Sequence, residues 1–246
     1  MPTCEIFTID SNVKIANNVF EIKLSGNTEG ISAPGQFVNV QLDGFYLRRP
    51  ISICDYKKGS LTLIYKTIGG GTEHMSEMKE GEKLDLLLSL GNGYDTGKGG
   101  GSPLVIGGGV GVPPMYALTK ELVEKGKHPS VILGFNSAAD AFYVEEFKAL
   151  VGADRVILCT ADGSAGEKGL VIDFLDRFDF DYTYSCGAPL MLRAVYNAVS
   201  TDGQYSFEER MACGFGACMG CSCKTKYKYK RICKDGPILE RDEIIW

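Results

Sequence analysis

The sequence predicts a β-barrel followed by an α/β unit with a doubly wound parallel sheet, and then a small cysteine-rich segment. Short strand patterns separated by turn residues fill the chain before Gly97, which is typical of a small barrel. Strand and helix patterns alternate from Leu104 to Val199, as in a parallel sheet covered by helices. Five of the nine cysteines lie between Cys213 and Cys233.

The barrel prediction rests on runs of β-branched and aromatic residues bounded by turn signals such as Pro34-Gly35. A glycine run, Gly69 to Gly71, precedes a short helical pattern and is typical of a helix N-terminus. The predicted strands cover residues 4–14, 19–24, 37–42, 50–54, 61–65 and 83–90.

The α/β unit begins after a glycine-rich stretch, Gly97 to Gly101, which we interpret as a hinge. Its predicted strands are 104–106, 131–133, 156–158 and 182–184, and its predicted helices are 114–125, 142–150, 171–178 and 189–199. About forty residues after Ser206 are too few to hold a core alone, so a metal there would stabilise them. These patterns predict three domains, 1–97, 98–205 and 206–246.

Composition excludes several classes of protein. The formal net charge is −5 over 246 residues, which counts against an extended nucleic-acid surface. No stretch reaches the ~18 apolar residues that span a bilayer, and Met1 to Asp10 carries no signal-peptide pattern. We therefore expect a cytoplasmic protein with no membrane partner. An odd number of cysteines in such a chain indicates free thiols or metal ligands, not a disulfide framework.

The most specific motif is Cys213-x4-Cys218-x2-Cys221, with Cys233 after eleven intervening residues. This is the plant-type spacing for a [2Fe–2S] cluster. Gly214, Gly216 and Gly220 permit the tight curl that brings the thiolates together. The alternatives are a zinc site and plain buried thiols, although zinc sites usually pair two short knuckles and this chain has one. Cys223 alternates with Cys221 along the chain, and we predict that it is not a ligand.

Two further motifs fit a nucleotide site. Gly107 to Pro114 follows a strand and opens a helix, where backbone N–H groups and the helix dipole favour a phosphate. The alternative is a tight turn without a ligand. Cys186-Gly187-Ala188-Pro189 ends the last predicted parallel strand, where ligands of α/β sheets bind. Cys186 is a candidate neighbour of a nicotinamide, or simply a small buried residue.

A weaker motif, Arg48 to Ser52, lies on a barrel strand, where Arg49 and Ser52 are able to hold a phosphate or a flavin edge. The alternative is a pair of solvated arginines.

In this order the motifs resemble the ferredoxin reductase family, and with the cysteine-rich tail they resemble the electron-transfer subunits of type B dihydroorotate dehydrogenases. The resemblance covers essentially the whole chain. It implies a pyridine-nucleotide site for NAD at Gly107, Gly108, Gly109, Gly111, Cys186 and Gly187. It implies a [2Fe–2S] cluster on Cys213, Cys218, Cys221 and Cys233. It implies that the barrel binds FAD through Arg49, Pro50, Ile51, Ser52, Ile64, Tyr65, Lys66, Gly71 and Thr72.

The sequence departs from the flavin motif at Ile51, where ferredoxin reductases often carry a tyrosine that stacks on the isoalloxazine. Tyr65 is the candidate replacement. From residue 129 to 147 there is no Lys or Arg, whereas Asp140, Glu145 and Glu146 are present. A ribose hydroxyl prefers a carboxylate and a 2′-phosphate needs a cation, so we predict NAD over NADP.

The resemblance implies that dihydroorotate is oxidised at FMN in a separate catalytic subunit, and that electrons cross the cluster and FAD to NAD+, in pyrimidine biosynthesis. It implies a heterotetramer with two copies of each chain. The basic stretch Lys224 to Lys234 is a candidate for the interface, or a solvated hairpin.

An alternative within redox chemistry is the flavin subunit of an NAD(P)H:ferredoxin oxidoreductase, or of a related hydrogenase or sulfite reductase complex. Some of these resembling chains use Asp as the first cluster ligand, so Cys213 favours the dihydroorotate function. A zinc-stapled binding module is the alternative from a different class.

Overall fold

A computed structural model describes residues 2–246 and confirms the predicted fold class. The first part is a closed six-stranded antiparallel barrel with the strand order β1-β2-β5-β4-β3-β6. Every predicted barrel strand is present. The elements are β1 (Thr3–Ala16), β2 (Val19–Ser25), β3 (Phe37–Gln41), β4 (Arg49–Lys57), β5 (Ser60–Lys66), helix α1 (Gly70–Glu77) and β6 (Lys83–Leu90).

Apolar and polar residues alternate along the barrel strands, which places apolar side chains in the barrel interior. In β6 every second residue is buried, from Leu84 to Leu90, because side chains of a strand point alternately to its two faces. Leucines from β5 and β6 meet Phe7 and Ile22 in the barrel interior. The barrel therefore has its own hydrophobic core.

The second part is a seven-stranded sheet with helices on both faces. Its first elements are β7 (Pro103–Gly108), α2 (Val112–Glu124), β8 (Ser130–Phe135), α3 (Val144–Val151), β9 (Val156–Thr160), β10 (Glu167–Lys168), β11 (Tyr182–Cys186), α4 (Pro189–Ala198) and β12 (Gly203–Ser206). After β12 come the hairpin β13 (Ser222–Lys224) and β14 (Tyr229–Arg231), the short helix α5 (Ile232–Asp235) and β15 (Ile238–Glu240). The sheet order is β10-β9-β8-β7-β11-β12-β15.

The structure departs from the sequence-based prediction in four elements of this sheet and its helices. Val171–Arg177 is a 3-10 helix, whereas the pattern predicted an α-helix. The strands β10, β12 and β15 were not predicted, and β15 pairs antiparallel with β12. The segment after residue 206 therefore contributes an edge strand to the α/β sheet. The stretch Gly97 to Gly101, which we interpreted as a hinge, is held by hydrogen bonds from Tyr184 Oη to the Lys98 carbonyl and from Gly100 N to Asp181.

Barrel and sheet pack against each other along β4 and α2. Cys54 and Ile64 of the barrel share a buried cluster with Val112 and Met115 of α2. Polar contacts across this junction include Tyr143 Oη donating to Glu21 at 2.6 Å. Within the described residues, no helix is long and apolar enough to cross a membrane.

Candidate functional site

A cavity of about 790 Å³ lies between the barrel and the carboxyl ends of the parallel strands. Ligands of open α/β sheets bind at this end of the strands. The barrel contributes Pro50, Ser52 and Lys66 to its walls. The sheet contributes Gly108, Gly109, Gly111, Cys186 and Gly187. The structure thus brings the barrel motif and the two glycine motifs together around one space large enough for a dinucleotide.

Arg49 lies against the N-terminus of α1. A Cβ at Gly71 would collide with the Arg49 guanidinium, so the glycine permits this close approach. The guanidinium also lies 4.7 Å from the centre of the Phe45 ring. A guanidinium beside the N–H groups of a helix N-terminus forms an anion site, which fits the pyrophosphate of FAD.

Arg48 has a different environment from its neighbour. Its Nη1 donates to Asp85 Oδ1 at 2.8 Å and to the Asn39 carbonyl at 3.3 Å. These bonds connect β3, β6 and the start of β4. Arg48 is therefore a structural residue of the barrel wall, whereas Arg49 lies against Gly71 at the start of α1 and is not among the residues that line the cavity.

Tyr65 does not offer its ring to the cavity. The side chain is 2% exposed, stacks on Phe20 with ring centres 5.8 Å apart, and donates its hydroxyl to Asn12 at 2.9 Å. The expectation that Tyr65 replaces the stacking tyrosine is wrong, because strand alternation turns this ring away from the cavity. Ile64 is also buried, between barrel and sheet, and Thr72 binds the Gly69 carbonyl at 3.0 Å inside the turn before α1.

The two glycine motifs of the sheet close against each other. A Cβ at Gly111 would collide with the Cys186 carbonyl. Gly109 has φ of +53°, in the left-handed region that favours glycine. Gly107 differs from the other glycines of this motif, because it packs on Val112 and not on the cavity. The N–H groups available to a ligand here are those of the turn, because α2 begins with Val112, whose N–H donates to the Gly109 carbonyl, followed by two prolines.

Cys186 lies at the end of β11 on the cavity wall. Burial raises the pKa of its thiol to about 12, against the opposing effect of a hydrogen bond with Ser206. The side chain is therefore a neutral thiol at physiological pH, which suits contact with a nicotinamide ring.

Sequence reasoning missed several residues of the cavity wall. Phe37 on β3 and Phe207 after β12 contribute aromatic surface, and Asn136 follows β8. Of the carboxylates that the sequence offered for a ribose hydroxyl, Asp140 lines the cavity, whereas Glu145 forms an ion pair with Lys148 on the exposed side of α3. The position of Asp140 after β8 indicated that it lies near the ligand-binding edge of the sheet. For Phe37 the sequence indicated only a place in a strand.

The cysteine motif forms two pairs of thiols. The backbone N–H of Cys218 donates to Cys213 Sγ at 3.4 Å, and the backbone N–H of Cys233 donates to Cys221 Sγ at 3.4 Å. Among residues 2–246, no three side chains of His, Cys, Asp or Glu are grouped to hold a single ion. Two pairs fit a [2Fe–2S] cluster, in which each iron takes two thiolates.

The loop backbone supports thiolates at this site. Burial acts to raise the pKa of Cys213, but hydrogen bonds from the backbone of Cys218 and Phe215 outweigh it and lower the pKa to about 6. Burial raises the pKa of the Cys233 thiol to about 12, so cluster binding must displace its proton. Residues Gly214, Gly216 and Met219 have positive φ. The third residue with positive φ in this loop is therefore Met219, whereas the sequence suggested Gly220.

Cys223 lies on β13 and differs from the other four cysteines of this segment in its hydrogen bond. Cys223 donates its Sγ proton to the Lys224 carbonyl at 3.7 Å. Arg231 stabilises the cysteine loop, because it donates to the Gly216 carbonyl at 2.8 Å and to Asp235 at 3.0 Å.

Comparison with known proteins identifies the family of this chain. The model for the iron–sulfur cluster binding domain of dihydroorotate dehydrogenase B matches residues 208–245. The chain is 43% identical to "Dihydroorotate dehydrogenase B (NAD(+)), electron transfer subunit" of Fusobacterium nucleatum subsp. nucleatum, over 94% of each chain. It is 40% identical to the subunit of the same name from Bacillus cereus, over 94% of this chain and 95% of the relative.

Solved structures show the same fold. A structure described as an NADH-dependent reduced ferredoxin-NADP oxidoreductase matches with a TM-score of 0.87 and 30% identity, over 98% of this chain and 90% of the other. Phthalate dioxygenase reductase matches in fold, with a TM-score of 0.63 and 19% identity over 78% of this chain and 63% of the other. The chain belongs to the family of electron-transfer subunits of dihydroorotate dehydrogenase B.

Proposed function

We propose that this chain carries electrons from the FMN of a dihydroorotate dehydrogenase catalytic subunit, through a [2Fe–2S] cluster and FAD, to NAD+ in pyrimidine biosynthesis. The proposal rests on one observation. Cys213 is paired with Cys218, and Cys221 with Cys233, in a segment that matches the cluster domain of this enzyme. FAD supplies exchange between a two-electron hydride and single electrons, and the cluster supplies one-electron transfer.

For FAD we propose a site in which Arg49 and the start of α1 hold the pyrophosphate. The collision predicted for a Cβ at Gly71 supports this placement. Tyr65 belongs to the site through its backbone, since its ring is buried. The full proposed set is Arg49, Pro50, Ile51, Ser52, Ile64, Tyr65, Lys66, Gly71 and Thr72.

For NAD we propose the opposite wall of the same cavity. The glycine turn before α2 receives the phosphates, and Cys186 lies beside the nicotinamide. The proposed set is Gly107, Gly108, Gly109, Gly111, Cys186 and Gly187, with Gly107 shaping the turn by its contact with Val112. This arrangement puts flavin and nicotinamide in one cavity, where direct hydride transfer needs no further carrier.

For the cluster we propose Cys213, Cys218, Cys221 and Cys233 as ligands. Both thiol pairs support this set, as do the backbone N–H groups that donate to Cys213 Sγ and to Cys221 Sγ. A one-electron carrier is useful only when a second two-electron site lies out of contact. The cluster therefore implies the partner that holds FMN.

The chain is an electron-transfer subunit and has a catalytic-subunit partner, as the names of its relatives indicate. We further propose a heterotetramer of two copies of each chain, and domains at 1–97, 98–205 and 206–246. Phe215 and Met219, which flank the cysteines, are 46% and 55% exposed, and exposed apolar side chains beside a redox centre favour a protein contact there. The nine free thiols support a reducing, cytoplasmic location.

A second candidate is the flavin subunit of an NAD(P)H:ferredoxin oxidoreductase, favoured by the TM-score of 0.87 to a structure of that description. Identity of 43% to the dihydroorotate dehydrogenase subunit, against 30% to that structure, favours the first function.

The test compares the isolated chain with the chain plus a catalytic subunit that binds FMN. The isolated chain should contain FAD and two irons and reduce dyes with NADH, yet form no orotate. Dihydroorotate-dependent NADH formation should require both chains. Orotate made by the isolated chain would contradict the proposal, and ferredoxin reduction in place of dihydroorotate oxidation would support the second candidate.

A further inference from the structure

Asn39 lies on β3 between the proposed flavin site and the cysteine loop. Alternation along β3 turns Val38 and Val40 into the barrel, where both are fully buried, and turns Phe37 and Asn39 outward. Across the ladder, Phe37 pairs with Ser52 and Asn39 pairs with Pro50. Phe37 and its partner both line the cavity, as does Pro50. The outer face of β3 is therefore adjacent to the flavin strand.

The same face also meets the cluster loop. Asn39 Nδ2 lies 3.5 Å from the Cys213 carbonyl. Gly214 has φ of +74°, and a Cβ on it would collide with the Asn39 carboxamide. Phe37, one step away on this face, shares a packed cluster with Cys221 and Cys233. Through Asn39 the strand contacts the loop that carries Cys213, and through Phe37 it joins the buried cluster that contains Cys221 and Cys233.

The Asn39 side chain carries an unpaired polar atom. The residue is 1% exposed, and its Oδ1 is buried without a hydrogen bond from the described residues. An unpaired buried carbonyl is costly, and leucine would fill similar space without that cost. A buried amide with an unpaired oxygen at this position therefore indicates a role at the junction beyond packing.

Resting on the proposed function, we propose that Asn39 is a positioning residue for electron transfer between FAD and the cluster. Its carboxamide holds the Cys213–Gly214 peptide against the flavin strand. It thereby keeps the first ligand at a constant distance from the flavin and places an amide dipole next to the cluster. The route from Pro50 crosses one strand ladder to Asn39 and continues through the amide to the Cys213 carbonyl.

The test uses Asn39→Leu, which keeps the branching at Cγ and removes the amide, and Asn39→Asp, which keeps the shape and adds a negative charge. Gln41→Leu is the matched control, because Gln41 lies on the same face of β3 but binds only the carbonyls of Leu42 and Phe45 at 3.4 Å. The purified holo-subunit is assayed for FAD, iron, the electron paramagnetic resonance spectrum of the reduced cluster and its midpoint potential.

Both Asn39 variants should retain FAD. Asn39→Leu should change the resonance spectrum and lose iron to a chelator roughly tenfold faster, the effect of one ordinary hydrogen bond. Asn39→Asp should lower the midpoint potential, because added negative charge favours the oxidised cluster. Gln41→Leu should match the unmodified chain in every measurement.

Spectrum, potential and chelation rate in both Asn39 variants equal to those of Gln41→Leu would overturn the proposal. If Asn39→Leu does not fold, Asn39→Asp and Asn39→Ser decide it by the same measurements. An unmodified chain that holds FAD and iron leaves the proposed function standing in that case, whereas one that binds no iron contradicts both.

Discussion

At the residue scale, two neighbouring arginines have different roles. Arg48 is bonded to Asp85 and to the β3 backbone, whereas Arg49 lies over Gly71 at the start of α1. The sequence alone did not distinguish the roles of Arg48 and Arg49, since both lie in one motif. The distinction depends on which strand face and which neighbouring loop each side chain meets.

We expect Arg49→Ala to release FAD. A charge-assisted contact with phosphate contributes about 1.5–3 kcal/mol, so FAD affinity should fall roughly tenfold to a hundredfold, measured by flavin absorbance after gel filtration. The iron content should be unchanged. Arg48→Ala is the control and should keep FAD while lowering the thermal midpoint. Full flavin occupancy in Arg49→Ala would refute the role.

The cysteines give a second residue-scale prediction. Cys218→Ser removes one member of a thiol pair and should lose both irons, because each iron needs two thiolates. Cys223→Ser should keep two irons per chain, since Cys223 bonds only a neighbouring carbonyl. Iron analysis and the visible spectrum check both, and iron loss in Cys223→Ser would overturn the ligand set.

The protonation of Cys186 is testable by alkylation. With a pKa raised to about 12 by burial, only about one thiol in ten thousand is ionised at pH 8, and the thiolate is the reactive form. Iodoacetamide at pH 8 should therefore label the exposed Cys4 well before Cys186, as read by peptide mass spectrometry. Labelling of Cys186 should rise with pH and not level off below pH 11. Rapid labelling near neutral pH would contradict the assigned pKa.

At the scale of elements, the loop between β8 and α3 carries the carboxylate on which our prediction of NAD over NADP rests. Asp140 lines the cavity and accepts a hydrogen bond from Ser137 at 2.8 Å. That bond holds the carboxylate in place at the cavity wall. The predicted stretch 129–147 thus contributes one carboxylate to the cavity, because α3 carries Glu145 to its exposed side.

NADH should be preferred over NADPH by at least about tenfold in kcat/KM, since a carboxylate binds a ribose hydroxyl and repels a 2′-phosphate. Asp140→Ala should lower kcat/KM for NADH by roughly tenfold through the loss of one charged hydrogen bond. Glu145→Ala is the matched control and should behave as the unmodified chain in a diaphorase assay. Equal efficiency with both nucleotides would count against the assignment.

At the scale of the whole molecule, charge is concentrated beside the cluster. The hairpin β13–β14 and the turn between its strands carry Lys224, Lys226 and Lys228 in exposed positions, whereas Lys230 is paired with Glu243 at 2.6 Å. Unpaired cations around a redox centre suit a partner with an acidic surface.

Lys226→Glu combined with Lys228→Glu should therefore weaken assembly with the catalytic subunit and reduce its salt dependence. NADH-dependent dye reduction by the isolated chain should be unchanged. Lys57→Glu combined with Lys58→Glu, at the exposed turn between β4 and β5, is the control for net charge. Analytical ultracentrifugation of the mixed subunits gives the measurement, and equal assembly by both double variants would remove the hairpin from the interface.

The sequence by itself determined the elements and the motifs that depend on local pattern. Alternation at period two located all six barrel strands, and the cysteine spacing identified the cluster loop, because both signals lie within short stretches of chain. Family resemblance then assigned cofactors to those motifs.

Only the tertiary structure decided which side chains of a motif meet a ligand. It buried the Tyr65 ring, separated Arg48 from Arg49 and joined β15 to the α/β sheet. It also brought Asn39 to Cys213, which is 174 residues away in the chain. The physical reason is that alternation along a strand determines only which side chains share a face. The packing of the barrel, the sheet and the cysteine segment determines what that face contacts.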